Sequence, residues 1–506
     1  MRHGLPGLNR RALSQRLGRL FLAGALGLLM AACGGNSSVA GGGIGGTGKG
    51  TITSVNPASV AGSGTLAASP GSVTLNGTRT FTTYAGTEYS IDGDPVTAAD
   101  LAAVGQGLVA RVDVGDDVSA DFSSGTAERV RAEHVVIGPV TQVAPLQVLG
   151  QDVVTTSSTA PADAASLTAN VDDVLEVSGN TNATGVIQAT RLELAASAPA
   201  VWRLTGTVAN VVAGTSFDIG TQTVNFNGVT PQDCGGGLQA GDVVKVKATP
   251  DADVTSGGAL STTTSIECVK PGLDIPPGFT SGALVVDLEG FVSAVNGSGF
   301  TLDEQPVVTT GSTVYQDGSA ADLQAGARVE VIGSLDVASG VLTATKVEFS
   351  ERRVRILAPV SAHDSVAKTL TMLGITIYKT ALTQGDVGVF ELGSGNQVQV
   401  EGFQDNGVFY ATSVNETSNG ADASDVSVQG PGIDDQVSPV FSLLGISVDV
   451  TGMELKGPEP AEATLMIPDF FNLLGTQPLL ELQHGAWDGS KITNDAGGPT
   501  TISFED

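Results

Sequence analysis

The sequence predicts an all-β protein: about six tandem small antiparallel β-barrels, OB-like or SH3-like, after a signal peptide and a glycine-rich tether. Three observations carry this expectation. The 506 residues include 67 glycines, with only 5% aromatic and 15% charged residues, so any cores are small and rest on β-branched side chains. A strand opener of the form G-x-V returns at intervals of 68 to 88 residues, longer than a solenoid turn and long enough for a minimal independent β-domain, so the units read as separate beads joined by short linkers. After the openers come segments that alternate apolar and polar with period two, the mark of a half-buried strand.

In chain order, residues 1–32 read as a lipoprotein signal. Arg2, Arg10, Arg11, Arg16 and Arg19 precede the apolar run LFLAGALGLLM, which makes roughly 16 Å of helix, about half of what a membrane span needs. Met30, Ala31, Ala32 and Cys33 resemble a lipobox, so Cys33 is the expected lipidation site. Two alternatives are an ordinary secretory signal with an incidental cysteine, and a twin-arginine route, against which stand the polar Ser14, Gln15 and Arg16. Gly34 after the cysteine, rather than aspartate, resembles outer-membrane sorting. Residues 33–49 read as a flexible tether because they offer too few side chains to bury.

Six β-repeats are expected at 50–136, 137–203, 204–283, 284–353, 354–425 and 426–506, the last divergent. Their openers are GTITSV at Gly50, GPVTQV at Gly138, GTVANV at Gly206, GFVSAV at Gly290, APVSAH at Ala358 and GPGIDD at Gly430. Next comes a turn and an alternating strand, as in LQAGDVVKVKA from Leu238, LQAGARVEVIG from Leu323 and LGSGNQVQVEG from Leu392. Val244 and Val246, Val329 and Val331, and Val398 and Val400 should face inward, while Lys245, Glu330 and Gln399 face water. A glycine-centred hairpin then opens the closing strand, as in SGVLTATKVEF from Ser339. A further hairpin, TLTMLGITIYK from Thr369, brings each unit to five or six strands, which satisfy their backbones by curling into a barrel or tight sandwich.

The G-x-V opener, L-x-x-G-x-x-V-x-V and G-x-x-x-A-T-x-[VL]-E resemble the bacterial repeats known as domain of unknown function 5666, most clearly between Gly138 and Asn415. Such repeats often follow a lipoprotein signal and a GGIGGTG-like tether. The shared motifs are fold-shaping glycines and valines, and the resemblance implies no catalytic residue.

No catalytic site, metal site or cofactor is expected. His134, His363 and His484 fall in different units, without metal-ligand spacing. His363-Asp364, and His484 near Trp487 and Asp488, read as surface turns rather than catalytic pairs. Asp92 and Asp94, or Asp317 and Asp322, read as turn formers rather than calcium ligands. Residues 41–51 imitate a phosphate-binding loop, but Lys49 is followed by Gly50 and no strand precedes it. Removing residues 1–32 takes away five arginines and no acid, so the net charge falls from −29 to −34, which argues against nucleic acid as a partner. The expected function is a non-enzymatic, lipid-anchored protein of the outer membrane and cell envelope, with a structural or binding role and an envelope protein or glycan as partner. A carbohydrate-binding module is the alternative, with Trp202 and Trp487 as candidate sugar platforms that read better as packing residues. A secreted hydrolase ranks lower still. Cys234 and Cys268 share one unit of an exported chain and are expected to form a disulfide; closing 34 residues is worth ~3 to 4 kcal/mol.

Overall fold

The computed structural model describes residues 44–505 apart from 59–68, 157, 162–163, 165–166, 256, 271, 274, 276–281, 350–352, 406–407, 459–462 and 477. The signal, Cys33 and the start of the expected tether lie outside the described residues. The chain is all-β, and each of the six sequence units forms a small barrel. The first strands of barrels 1 to 6 are Ile44–Asn56, Val136–Val143, Trp202–Val212, Ala283–Asn296, Arg353–Pro359 and Val426–Ile433.

Barrel 4 shows the shared connectivity. Its first strand pairs with Gly299–Leu302, and that strand with Gln305–Val308. The third strand then runs parallel to the fifth, Val341–Phe349. The fifth pairs with the fourth, Arg328–Asp336, which returns to the first. A closed order of 1-2-3-5-4-1 with a parallel contact between strands three and five is the OB-fold arrangement, which decides between the two barrel types. Barrel 3 makes the same parallel contact through single bridges, Val224 to Leu260 and Gln232 to Glu267. In barrel 5 the first strand is continued by Ala362–Asp364, and in barrel 6 the fifth is split into Ile492–Asn494 and Thr501–Glu505.

The repeated motifs have steric causes. A Cβ at Gly138 would overlap the side chain of Leu149, which sits at φ 46° in the turn between strands two and three and folds back over the opener. The glycine ending V-x-V-x-G marks a bulge: the register shifts between Ile332 and Gly333, where a Cβ would strike the Thr343 carbonyl. In barrel 4 the leucine of LQAG, Leu323, is buried beside the short helix Ala320–Asp322, while the matching Leu238 of barrel 3 is half-buried and Leu392 of barrel 5 is exposed. In barrel 1 the same place is taken by the helix Ala98–Val104, whose Thr97 and Asp100 form a capping box over buried Leu101.

Two expectations are corrected. The units are not beads on linkers, because their opener strands also pair between barrels. Those of barrels 2 and 3 run antiparallel, Ile137 opposite Arg203 and Val136 opposite Leu204. Those of barrels 5 and 6 do so at Arg355–Gln429, Ile356–Val428 and Leu357–Ser427. Barrels 1 and 4, far apart in sequence, join in parallel from Gly46–Val285 to Lys49–Leu288. The apolar cores of barrels 2 and 3 merge, as do those of 5 and 6. The three pairs meet where Val186 of barrel 2, Phe291 of barrel 4 and Leu382 of barrel 5 pack together.

The second correction concerns the tether. Residues 44–49 are not flexible linker but the start of the first strand, pairing with barrel 4 on one edge and with Val109–Gly115 on the other. Glycine is required there because Phe122, fully buried, lies against the strand: a Cβ at Gly48 would overlap its ring, and one at Gly46 would stand 3.0 Å from it. Lys49 lies mid-strand and pairs with Asp303, which rules out a phosphate-binding loop.

Candidate functional site

The seam between barrels 1 and 4 gathers buried charge. Arg79 opens the third strand of barrel 1, Arg79–Thr83, and its Nε donates to Asp287 Oδ2 at 3.1 Å. Its Nη2 donates to Glu330 Oε2 at 3.2 Å and lies 3.7 Å from Glu348 Oε2. Asn76 Nδ2 donates to the other Glu330 oxygen at 2.8 Å. Burial and the neighbouring Glu330 push the Asp287 carboxyl well above the usual carboxylate range, outweighing Arg79. Asp287 Oδ1 meets no donor among the described residues, so a carboxylic acid suits this position better than a carboxylate. Glu330, expected to face water, is instead 6% exposed, because barrel 1 covers its strand.

A second buried charge lies in the wall of barrel 1. Asp113, fully buried, accepts from Thr47 Oγ1 at 2.8 Å and Arg131 Nη2 at 2.7 Å, with Arg129 Nε 3.3 Å away. Where barrels 1, 2 and 3 meet, Asp92 accepts from the His134 backbone at 2.8 Å and its Oδ2 lies 2.9 Å from His134 Nδ1, with Arg203 Nε at 3.6 Å. Burial alone would raise the Asp92 carboxyl, but the His134 hydrogen bonds and charge, aided by Arg203, hold it below its ordinary value. Arg203 also reaches Asp94 at 3.3 Å. The Arg79 and Asp92 groups are partnered across contacts between barrels, which gives them the work of holding barrels together, whereas Asp113 is satisfied inside barrel 1.

The other sequence candidates are dispersed. Cys234 and Cys268 are bonded to each other, with Cα atoms 5.1 Å apart, inside barrel 3. Asp322 caps its short helix by accepting from the Ser319 backbone and hydroxyl. His363 lies on an exposed strand beside Gly393, while Asp364 turns to the backbone N–H groups of Val366 and Ala367. His484 Nδ1 is 2.9 Å from Asp425 Oδ1, and Asp488 caps its own turn by accepting from Ser490 and Lys491. Trp202 is buried in the shared core of barrels 2 and 3. Trp487 packs against the core of barrels 5 and 6, its ring over Gly374. Both tryptophans therefore act in packing.

Sequence reasoning missed two features. Arg79 and Asp287 carry no local signature of a pair 208 residues apart. On the outer wall of barrel 5, Tyr378 and Tyr410 stand opposite each other on the adjacent strands Ile375–Gly385 and Val408–Gly420, ring centres 6.1 Å apart. Phe403 continues the row, 5.5 Å from Tyr410. Period-two alternation was the available signal, since Ile377 and Phe409 are buried and their neighbours must face outward.

Comparison with known proteins gives one informative result. The family described as a domain of unknown function (DUF5666) matches residues 137–193, 205–255, 289–348 and 358–415, one stretch in each of barrels 2 to 5. No curated protein matches the chain. Among solved structures, the chain titled drosophila Unr CSD456 is 13% identical, covering 43% of this chain and 95% of its own, with a TM-score of 0.11, too low to carry an argument.

Proposed function

The chain carries four tandem domains of the DUF5666 family, flanked by two further barrels of the same connectivity, and from that premise we propose a non-enzymatic, lipid-anchored protein of the bacterial cell envelope. Its barrels form one scaffold with a structural or binding role, held through Cys33 at the outer membrane. The observation that supports a scaffold is the junction of Val186, Phe291 and Leu382, which ties three strand-paired couples of barrels together. A unit whose ionisable groups hold neighbouring barrels in place is built for fixed geometry rather than for turnover. The acidic net charge supports a partner other than nucleic acid. The anchor rests on the lipobox-like residues before Cys33 and on the apolar run that precedes them.

The test is metabolic labelling with a radioactive fatty acid followed by membrane fractionation. The wild-type chain should take up label and sediment with the outer membrane, and Cys33→Ala should do neither. An unlabelled wild type would overturn the anchoring.

A further inference from the structure

We propose that the outer wall of barrel 5 is a binding platform for a neutral oligosaccharide, centred on Tyr378 and Tyr410. This deepens the binding role given above and rests on it. Tyr378 lies on the third strand of its barrel, 39% exposed, with Thr369 opposite it on the second strand and Tyr410 opposite it on the fifth. One row thus runs across the wall from exposed Tyr378 through half-buried Tyr410 to Phe403, which is 4% exposed. Phe403 is clamped at the junction of barrels 2, 4 and 5, beside Phe291 and Leu382. Its ring centre stands 5.5 Å from that of Tyr410 on the neighbouring strand, so one side of the platform is fixed by buried packing before any ligand arrives, which lowers the cost of binding.

The chemistry selects the occupant. Thr371 and Thr376 form a cross-strand pair on the same outer face, next to the tyrosines, so aromatic rings are flanked by hydroxyls. Sugar rings present apolar C–H faces and equatorial hydroxyls, which such a surface matches on both counts. Tyr378, Thr371 and Thr376 lie on strands two and three, the face through which OB barrels take oligosaccharides, and Tyr410 and Phe403 extend it onto strands five and four. A polyanion is disfavoured by the acidic chain, and an extended peptide finds no free strand edge here because the wall pairs on both sides of Tyr378. Exposed Tyr84 of barrel 1 has no aromatic neighbour among the described ring pairs and donates its hydroxyl to Glu128 at 2.5 Å, which makes it a control outside the platform.

The experiment is isothermal titration calorimetry of the full chain, extracted in mild detergent, with maltohexaose, cellohexaose and chitohexaose, and with polygalacturonate as the charged control. At least one neutral hexasaccharide should bind. Tyr378→Ala and Tyr410→Ala should each weaken that binding about tenfold, which corresponds to about 1.4 kcal/mol. Tyr378→Phe should stay within about twofold because stacking survives, and Tyr84→Ala should bind as wild type does. Tyr378→Phe also guards against misfolding as the cause of the alanine result. Absence of binding to all three neutral sugars at millimolar concentration, unchanged affinity in the alanine variants, or preference for polygalacturonate would each overturn the proposal. Fatty-acid labelling and membrane fractionation of the same variants report on the anchored scaffold separately, so loss of one reading is distinguishable from loss of the other.

Discussion

Arg79 and Asp287 stand 208 residues apart in the chain, and the Arg79 Nε lies 3.1 Å from the Asp287 Oδ2 in the seam between barrels 1 and 4. Both side chains are almost fully buried, at 9% and 4% exposure, and Glu330 shares the same guanidinium. A cation placed there neutralises Glu330, while the proton held by Asp287 removes the charge that would otherwise be in excess.

Removing the cation should therefore be costly. Arg79→Leu leaves Glu330 and Asp287 buried without it and is expected to destabilise by about 3 to 5 kcal/mol. Urea unfolding of the variant measures this, and a loss below about 1 kcal/mol, the level of an exposed pair, would contradict it.

Asp287→Asn should be neutral or stabilising at pH 7, since it fixes the uncharged state. The sign with pH follows from the raised pKa: the folded protein binds the proton more tightly than the unfolded chain, so this group's stabilisation is fully present below the ordinary aspartate range. It is lost as pH rises through the higher folded value. Wild type should gain on Asp287→Asn as the pH is lowered from 8 towards 4. A gap that widens in favour of the variant on acidification would refute the assignment.

The six-fold pattern was legible because it rests on local rules. Val244, Val246, Val329, Val331, Val398 and Val400 are all buried as period-two alternation requires. Choosing between OB-like and SH3-like barrels was not, because the deciding contact joins short third strands such as Gln305–Val308 to fifth strands in parallel, a non-local pairing. Glu330 was misplaced for the same reason: alternation says which face a residue takes, and not whether another barrel covers that face. The glycines of residues 45–50 fit two opposite situations, a segment with nothing to bury and a strand packed too tightly for side chains. What distinguishes them lies elsewhere in the chain: Phe122 crowds Gly46 and Gly48, Gly115 and Val118 crowd Gly45, and Asn76 crowds Gly50.

Gly48→Leu tests that reading. With Phe122 in van der Waals contact the substitution overpacks barrel 1 and should cost about 1 to 3 kcal/mol or more in thermal or urea unfolding. A flexible tether would leave stability unchanged.

Cys234→Ser with Cys268→Ser should lower the stability of barrel 3 by about 3 to 4 kcal/mol, the entropy of a 34-residue closure. Non-reducing peptide mapping of envelope-purified protein should recover both cysteines in one linked species. Free thiols at both positions would contradict the bond.

Barrels distant in sequence are joined strand to strand, above all by the parallel pairing of Gly46–Lys49 with Val285–Leu288. Native-state hydrogen exchange read at these eight residues tests it most directly. The pairing predicts slow exchange of the inward-bonded amides on both strands, with protection on both lost together in Arg79→Leu. Rapid exchange across residues 46–49, at the rate of an unstructured linker, while barrel 4 stays protected would contradict it.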